Sequence, residues 1–371
     1  MKAKFPISMF RERLQLIILS VILLGLPFLG ITLAGLPVQR YLEFPPETQY
    51  IDHAPFSWIA FTGYSLFIVA AVILPIFIKI FIKEKQVAPK PTEFYPFPWW
   101  GWLGIITGLT AWFLAWTRLP WFAVFQPHTF IALWLSFILV INALTYKRTG
   151  NCMIINRLKY FLMLFPVSAV FWWFFEYLNR FVQNWQYIGV HFSSLEYFCY
   201  ATISFSTVLP AVLGAREWIQ SFSWVEKYNN LIPFGIFQSK PIALSVLIAS
   251  SAGIVLMGIW PDYLFPLLWI SPLLIIVSFR ILSGENHVFS DIARGDWRLV
   301  ISSALAALFC GCFWEMWNYF SLTKWVYSVP FVQRFQVFEM PIHGYAGYLP
   351  FGLECSLIGK ILAQIFRKPS L

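Results

Sequence analysis

Residues 176–187, EYLNRFVQNWQY, recur in altered form as residues 315–327, EMWNYFSLTKWVY. Each stretch has a glutamate, an asparagine three residues later and a Trp-x-Tyr sequence near its end. The likeness continues upstream, where LWLS at 133–136 returns as LWIS at 268–271. The two copies are offset by about 135 to 143 residues, which is enough for a unit of several helices. The sequence therefore predicts that the fold contains one multi-helix unit twice.

The chain is far more apolar than a soluble domain. Of its 371 residues, 59% are hydrophobic and 12% are charged, and its mean hydropathy is +0.69. In soluble domains about a quarter of the residues are charged. Several windows exceed the roughly 18 apolar residues that a helix needs to cross a bilayer, and such runs must be helical because lipid offers the backbone no hydrogen-bond partners. The composition predicts an all-α polytopic membrane protein.

The apolar windows predict ten transmembrane helices. The sixth contains Ser and Thr throughout, and the tenth carries His343 and Glu354, so these two have the weakest signal. Without them, eight spans would remain. The predicted spans are residues 14–36, 56–82, 99–117, 128–146, 159–181, 195–214, 241–260, 263–282, 298–321 and 341–366.

The basic residues predict the orientation of these spans. With the N-terminus in the cytoplasm, 21 of the 26 Lys and Arg residues fall in six cytoplasmic segments, as the positive-inside rule requires. The sequence thus predicts an integral protein of a bacterial inner membrane with both termini cytoplasmic. The net charge of +9 is spread over short loops, so it indicates topology and not a nucleic-acid partner. The first apolar run is too long for a cleaved signal peptide and is interpreted as an anchor.

The predicted organisation has four parts. Residues 1–83 form a transmembrane hairpin, residues 84–98 form a proline-rich cytoplasmic linker, and residues 99–237 and 238–371 form two four-helix repeats. Because each repeat has an even number of spans, both copies have the same orientation in the membrane. Their pseudo-two-fold axis is therefore expected along the membrane normal, as in tandem parallel repeats.

The glutamate and asparagine of each repeat are the first candidate site residues. Glu176 and Asn179 lie three residues apart, as do Glu315 and Asn318, which places each pair on one helix face near the outer end. An ionisable side chain in a span costs about 2.5–3.5 kcal/mol, so it should face the bundle interior with a partner. Each asparagine is a candidate partner of its glutamate. In the alternative interpretation, both pairs only hold helices together, at about 0.6–2 kcal/mol each.

The second repeat has the richer chemistry. His343, Gly347, Pro350 and Glu354 are spaced as one helical stripe, whereas the first repeat offers only hydroxyl-bearing side chains after Glu196. In a cavity of low dielectric constant, one carboxyl group can keep its proton and act as an acid while another stays ionised. His343 could also be a hydrogen-bonded residue at the membrane interface. The predicted catalytic residues are Glu315, Asn318, His343, Glu354 and, at the rim, Glu339.

The Trp-x-Tyr sequences follow the asparagines in predicted outside loops. Their aromatic rings are expected either to cover the cavity at the helix ends or to lie at the level of the lipid headgroups. Repetition of the whole set in both copies favours the first interpretation. The predicted substrate-binding residues are Trp325, Tyr327, Glu176, Asn179, Trp185, Tyr187 and Glu196.

The sequence lacks the motifs of the common cofactor enzymes. Its five histidines are scattered singly, so the histidine clusters of membrane di-iron enzymes are missing. Glycine-rich phosphate loops, aspartate-rich diphosphate motifs and a Gly-x-Ser-x-Gly sequence are also missing. The sequence therefore predicts neither a metal nor a cofactor.

About fifty residues resemble the small membrane carotenoid (lycopene) cyclases and carotenoid hydratases. The common features are a glutamate late in a span, an aromatic-x-Tyr loop and a helix opened by an acidic-x-Pro element. They correspond to Glu315, Trp325, Tyr327, Glu339 and Pro341. The resemblance implies cofactor-free protonation of a polyisoprenoid double bond by a carboxylic acid, with aromatic faces stabilising the cation.

Three functions remain open from the sequence. The first is a membrane-embedded enzyme that acts on a lipid or isoprenoid near the outer face, with Glu315 as acid or base. The second is a proton-coupled transporter or lipid translocator that uses the same carboxylates. The third is a quinone-contacting membrane subunit of a larger complex. The expected partners are membrane lipids and a lipophilic small molecule.

Overall fold

A computed structural model describes residues 14–15, 17–73 and 94–367. The longer helices are α1 Ile17–Leu33, α2 Trp58–Val72, α3 Trp99–Trp116, α4 Thr129–Thr149, α5 Leu158–Asn179, α6 Ser194–Phe205, α7 Val208–Gln220, α8 Lys240–Met257, α9 Leu267–Leu282, α10 Arg298–Tyr319 and α11 Tyr348–Arg367. The strands are β1 Trp185–Ile188, β2 Lys324–Tyr327, β3 Gln336–Val337 and β4 Met340–Pro341. The described part of the chain is therefore mostly helical, with almost no sheet.

Six stretches of the described residues are long and apolar enough to cross a membrane. They are Gln126–Thr149, Leu158–Asn179, Ser194–Gln220, Lys240–Met257, Arg298–Tyr319 and Ile342–Phe366. By length and composition these are six candidate membrane-spanning helices, which indicates an integral membrane protein. The two predicted spans with the weakest signal, the sixth and the tenth, are both among the six.

The other four predicted spans do not meet the same criteria. Helices α1, α2 and α9 are apolar but shorter than 18 residues. Helix α3 has 18 residues, and its tryptophans lower its mean hydropathy. The end of the predicted second span and most of the predicted linker at 84–98 lie outside the described residues, as do the N-terminal basic residues.

Glycines allow neighbouring helices to approach closely. A Cβ atom on Gly104 of α3 would lie 3.0 Å from Leu139 of α4, and one on Gly253 of α8 would lie 2.6 Å from Leu267 of α9. Small residues at such contacts are typical of helices that pack within a membrane. The pairs α3–α4 and α8–α9 occupy corresponding places in residues 99–237 and 238–371, which we call the first and second halves.

The two halves pack against each other through the middle of the molecule. Helix α7 of the first half contacts α10 and α11 of the second, and α11 also contacts α5. At one of these crossings, a Cβ atom on Gly359 would lie 2.7 Å from Leu213. The buried core is therefore continuous across both halves.

Strands β1 and β2 pair with each other in antiparallel fashion and so join the halves at one end of the bundle, which we call the β end. The tryptophan of each strand lies opposite the tyrosine of the other, so the register is symmetric. The pairs are Trp185–Tyr327, Gln186–Val326, Tyr187–Trp325 and Ile188–Lys324. The Trp-x-Tyr sequences, predicted as loops, thus form a short ribbon, because each copy supplies the other with the backbone partner that a single strand lacks.

The tryptophans of the ribbon also pack across the interface between the halves. Trp185 stacks on Trp269 of α9, with 5.7 Å between ring centroids, and Trp325 meets Phe130 of α4 at 6.0 Å. Each ring therefore contacts the second long helix of the opposite half. These contacts hold the ribbon against the ends of the helices.

Candidate functional site

Glu176 lies in the last turn of α5 and is 5% exposed. Its Oε1 atom accepts hydrogen bonds from Trp172 Nε1 at 3.0 Å, Trp185 Nε1 at 3.0 Å and Tyr187 Oη at 2.7 Å. Trp172 is four residues before Glu176 and shares its helix face. The carboxyl group therefore links the end of α5 to strand β1.

Glu315 occupies the corresponding place in α10 and is fully buried. Its Oε1 atom accepts hydrogen bonds from Tyr327 Oη and Tyr348 Oη, both at 2.7 Å. Trp325 Nε1 donates to Tyr327 Oη at 2.8 Å instead of to the carboxyl group. The other oxygen, Oε2, is shielded from solvent and has no hydrogen-bond partner. Glu315 thus keeps an unused acceptor.

The two sites differ because of a single position. Four residues before Glu315 the chain has Gly311, where the first half has Trp172. A Cβ atom on Gly311 would lie 2.4 Å from the ring of Tyr348, so only glycine leaves room for that ring. In the second half, the hydroxyl group of Tyr348 on α11 therefore takes the place of the Trp172 indole, which lies on the same helix as Glu176. Sequence reasoning missed Trp172, Gly311 and Tyr348, although the Trp and Gly could have been found by aligning the copies.

The predicted pairing of each asparagine with its glutamate is wrong. Asn179 Nδ2 donates to the carbonyl of Trp185 at 2.8 Å, and Asn318 Nδ2 donates to that of Trp325 at 2.7 Å. Asn318 Oδ1 also accepts from the Trp325 amide at 2.9 Å. Since both asparagines lie at helix ends, their side chains reach the chain that leaves the helix. They position the strands and do not contact the carboxyl groups.

A cavity of about 1010 Å³ lies at the β end, lined by both halves and by α2. Most of its lining is aromatic or aliphatic, as is typical of sites for lipophilic ligands. Tyr187, Tyr327 and Tyr348 line it, whereas Glu176 and Glu315 lie behind them and do not. The three tyrosines therefore lie between the carboxyl groups and the cavity.

The tyrosines of the ribbon keep their protons. Burial, and next the charge of the neighbouring glutamate, raise the pKa of Tyr187 and of Tyr327 well above the usual range. Both side chains are therefore hydrogen-bond donors at neutral pH. The raised pKa values agree with the hydrogen bonds that both hydroxyl groups donate to carboxyl oxygens.

The predicted stripe on the tenth span is divided between two places. His343, Gly347 and Pro350 line the cavity. Glu354 does not; it lies one turn beyond Pro350, is 2% exposed, and neither of its oxygens has a hydrogen-bond partner. The predicted single helical stripe is therefore interrupted, because His343 and Gly347 belong to a short 3-10 helix, Ile342–Gly347, that precedes α11.

His343 connects the cavity wall to the N-terminal region. Its Nε2 atom lies 2.8 Å from Ser65 Oγ of α2, and its ring meets Phe61 edge to face at 4.1 Å. None of the described residues of α2 is buried. His343 is therefore one of the side chains that join α2 to the second half, beside Phe335 and Phe265, and it makes no hydrogen bond with Glu315.

Glu339 and Glu196 occupy matching positions in the two copies of the sequence, but they make different contacts. Glu339 forms an ion pair with Lys324, a cationic side chain that lines the cavity. Glu196 lies at the start of α6, where Oε2 accepts from the Ser193 amide at 3.0 Å and from its hydroxyl at 2.7 Å. This is a capping box, readable in the sequence as Ser-x-x-Glu. The prediction that Glu196 contributes to the site is therefore wrong.

Among the described residues, no group of three or more His, Cys, Asp or Glu side chains could hold a metal ion. Comparison of the chain with protein-family models, with curated proteins and with solved structures found no match. The candidate site is therefore described from the positions and contacts of its residues alone. Its central features are an aromatic cavity, two lining tyrosines of the second half, and Glu315 behind them.

Proposed function

We propose that the protein is a membrane-embedded enzyme that binds a lipid or isoprenoid in the cavity at the β end, with Glu315 as acid or base. The observation that carries this proposal is the contact of Glu315 Oε1 with the hydroxyl groups of Tyr327 and Tyr348, two tyrosines that line a mostly apolar cavity. A buried carboxyl group connected to such a cavity has the position of a general acid or base.

The proton would pass through a tyrosine hydroxyl. Glu315 does not line the cavity, so it reaches a ligand only through Tyr327 or Tyr348. In this step a neutral Glu315 donates its proton to the tyrosine oxygen, and the same hydroxyl turns to give its own proton to the ligand; the reverse transfer returns a proton to ionised Glu315. Positive charge that develops on the ligand would face the rings of Trp314 and Trp325, whose π faces stabilise cations.

The isoprenoid part of the proposal rests on the resemblance to the carotenoid cyclases and hydratases. Glu315, Trp325 and Tyr327 form one hydrogen-bonded chain beside the cavity, which supports a common role for them. Glu339 instead neutralises Lys324 at the rim, so we assign it to binding and not to proton transfer.

We further propose ten spans, arranged as an N-terminal hairpin and two tandem repeats at 99–237 and 238–371, in a bacterial inner membrane. The symmetric register of β1 and β2 and the matching contacts of Asn179 and Asn318 support the repeats. The distribution of basic residues supports cytoplasmic termini, which would place the β end at the outer face.

A second candidate function is proton-coupled transport of a lipophile. The observation that favours it is Glu354, a buried carboxyl group without a hydrogen-bond partner beyond the floor of the cavity. An unpaired charge at that depth is costly, so Glu354 is expected to bind a proton. A carboxyl group of this kind is typical of proton pathways as well as of enzymes.

The proposal is tested by identifying what the cavity holds. The protein is purified in mild detergent and analysed by native mass spectrometry and visible absorption, beside two variants. Ala201→Trp fills the cavity wall, and Ile106→Trp adds the same ring to the exposed face of α3 as a matched control. We expect a stoichiometric lipophile in the wild type and in Ile106→Trp, and its loss in Ala201→Trp.

Only bulk phospholipid in all three proteins would contradict a specific ligand site. Proton flux in liposomes would then be the next assay, because the transport candidate does not need a tightly bound lipophile.

A further inference from the structure

The cavity extends from the β end toward the opposite end of the bundle. Lys324 lines it from strand β2, and Phe289 lines it from the segment that connects α9 to α10. Helix α10 starts after this segment and ends before β2, and it measures about 33 Å at 1.5 Å per residue. The connecting segment therefore lies at the end opposite the ribbon, and Phe289, which is 9% exposed, reaches inward from it. A cavity lined by both residues is elongated along the helices.

The charged side chains of the lining are gathered at the β end. Among the described residues, the lining includes four side chains that can carry a charge at neutral pH, namely Glu47, His191, Lys324 and His343. His191 follows β1 and His343 follows β4. Glu47 precedes a residue whose carbonyl accepts from Gln183, just before β1. The polar end of a ligand therefore finds its partners beside the ribbon.

The lining farther from the ribbon is apolar, apart from the hydroxyl group of Ser204. Phe67 and Val72 lie in the later turns of α2, Leu353 lies in the second turn of α11, and Phe289 follows at the far end. The volume of about 1010 Å³ is at the upper end of the range for sites that hold one small molecule. One molecule with a polar end and a long apolar chain therefore fits the cavity in one direction.

Phe289 separates the cavity from a second packed core. It forms a buried cluster with Val277 of α9, Ile292 of the connecting segment and Leu357 of α11. Leu353, which lines the cavity, also packs against this cluster. Because a packed interior has few voids, a chain that reaches Phe289 cannot continue past it without displacing the ring.

We propose that the ligand is a single-chain amphiphile whose polar end lies at the ribbon, and that Phe289 limits the length of its chain. The inference rests on the proposed function, because it requires that the cavity bind a lipophile. A short chain leaves part of the cavity unfilled, whereas a chain that is too long cannot be accommodated whole. Binding should therefore have an optimum chain length.

The length limit is tested with an equimolar mixture of the even-numbered straight-chain primary alcohols from decanol to docosanol. The protein is reconstituted in lipid nanodiscs, incubated with the mixture and analysed by native mass spectrometry, which gives the distribution of bound chain lengths. We expect a distribution with a maximum in the wild type. Phe289→Ala should move the maximum to longer chains by at least one step of the series. Leu353→Phe should move it to shorter chains, because it adds volume at the same end of the cavity.

Ile292→Ala is the matched control. It removes a buried side chain from the same segment and the same cluster as Phe289, but Ile292 does not line the cavity. It should keep the wild-type distribution, whereas a shift caused by loss of stability would also occur in this variant. Leu353→Phe leaves the ring of Phe289 in place, so it tests the length limit even if Phe289→Ala does not fold.

The orientation of the ligand is tested by photo-crosslinking to the wild type. Tetradecanol with a diazirine at its terminal carbon should label peptides that contain Phe289 or Leu353. The isomer with the diazirine beside the hydroxyl group should label β1 or β2. The labelled peptides are identified by mass spectrometry.

Each other outcome has a definite meaning. A distribution without a maximum, or one that stays unchanged in a folded variant at Phe289 or Leu353, would overturn the length limit. A shift in Ile292→Ala equal to that in Phe289→Ala would overturn it as well. Labelling of the ribbon by the terminal diazirine would overturn the orientation. Absence of every alcohol from the wild type, in the presence of a correct fold by circular dichroism, would contradict the proposed function itself.

Discussion

The surroundings of Glu176 and Glu315 differ in where their hydrogen-bond donors come from. Glu176 receives all three donors from its own helix and the strand that follows it. Glu315 receives one of its two donors from Tyr348, on a helix that also forms the cavity wall. Both carboxyl groups contact a cavity-lining tyrosine, but Glu176 is held by three donors of one helix and strand, whereas Glu315 also contacts α11 and keeps one oxygen without a hydrogen-bond partner, so we assign the structural role to Glu176 and proton exchange to Glu315. Under the proposed function, the second half carries the chemistry while the first half maintains the fold.

The largest expected effect comes from removing the structural carboxyl group. Glu176→Ala leaves two indole N–H groups and one hydroxyl without an acceptor, at about 1–3 kcal/mol each. We expect a loss of about 3 kcal/mol or more in the free energy of unfolding, measured by titration from mild detergent into SDS. Glu315→Ala leaves only two donors unpaired and should cost less. A greater loss in Glu315→Ala than in Glu176→Ala would contradict the assignment of the structural role.

The second prediction concerns a variant in which the surroundings of Glu315 are made like those of Glu176. Gly311→Trp places a large ring where Tyr348 lies, so it should lower the free energy of unfolding by about 1–3 kcal/mol. Adding Tyr348→Ala should restore part of that loss, because the new indole then occupies the place that Trp172 has beside Glu176. The same unfolding titration measures both proteins. If the double variant is no more stable than Gly311→Trp alone, an indole at position 311 cannot replace the Tyr348 hydroxyl group as a donor to Glu315.

The smallest expected effects are at the two glutamates that the sequence matched. The ion pair of Glu339 with Lys324 is partly exposed, so Glu339→Gln should change the free energy of unfolding by less than about 1 kcal/mol. Glu196→Ala removes one member of a capping box and should cost about 1 kcal/mol. Only Glu339→Gln should alter ligand affinity, as read by tryptophan quenching, because Lys324 lines the cavity. An effect of Glu196→Ala on the ligand would instead support the original match.

The sequence grouped each glutamate with the Trp-x-Tyr sequence after it in one candidate site, although it named the asparagine as the partner of the glutamate. Glu176 with Trp185 and Tyr187, and Glu315 with Tyr327, are neighbours because a helix end and the strand after it are close whatever the rest of the fold does. The helices were predictable for a similar reason, since an apolar run in lipid has no other regular structure open to it.

Contacts between repeats were not predictable in this way. Tyr348 follows Glu315 by 33 residues and meets it only because α11 packs against α10. Pairing of β1 with β2 likewise depends on how the halves dock. The role of Asn318 was misassigned because a shared helix face shows which side chains are close, but not that a free backbone group nearby is the better partner.

The most direct test of the central claim follows proton transfer without knowledge of the product. The lipophile that co-purifies with the protein is incubated in D2O with the wild type, Glu315→Gln and Glu176→Gln, and deuterium in its C–H bonds is measured by mass spectrometry. We predict incorporation with the wild type and with Glu176→Gln, and none with Glu315→Gln, because Glu315 contacts two cavity-lining tyrosines and keeps an oxygen without a hydrogen-bond partner, whereas Glu176 contacts one such tyrosine and two indoles. Incorporation with Glu315→Gln at the wild-type rate would contradict the account.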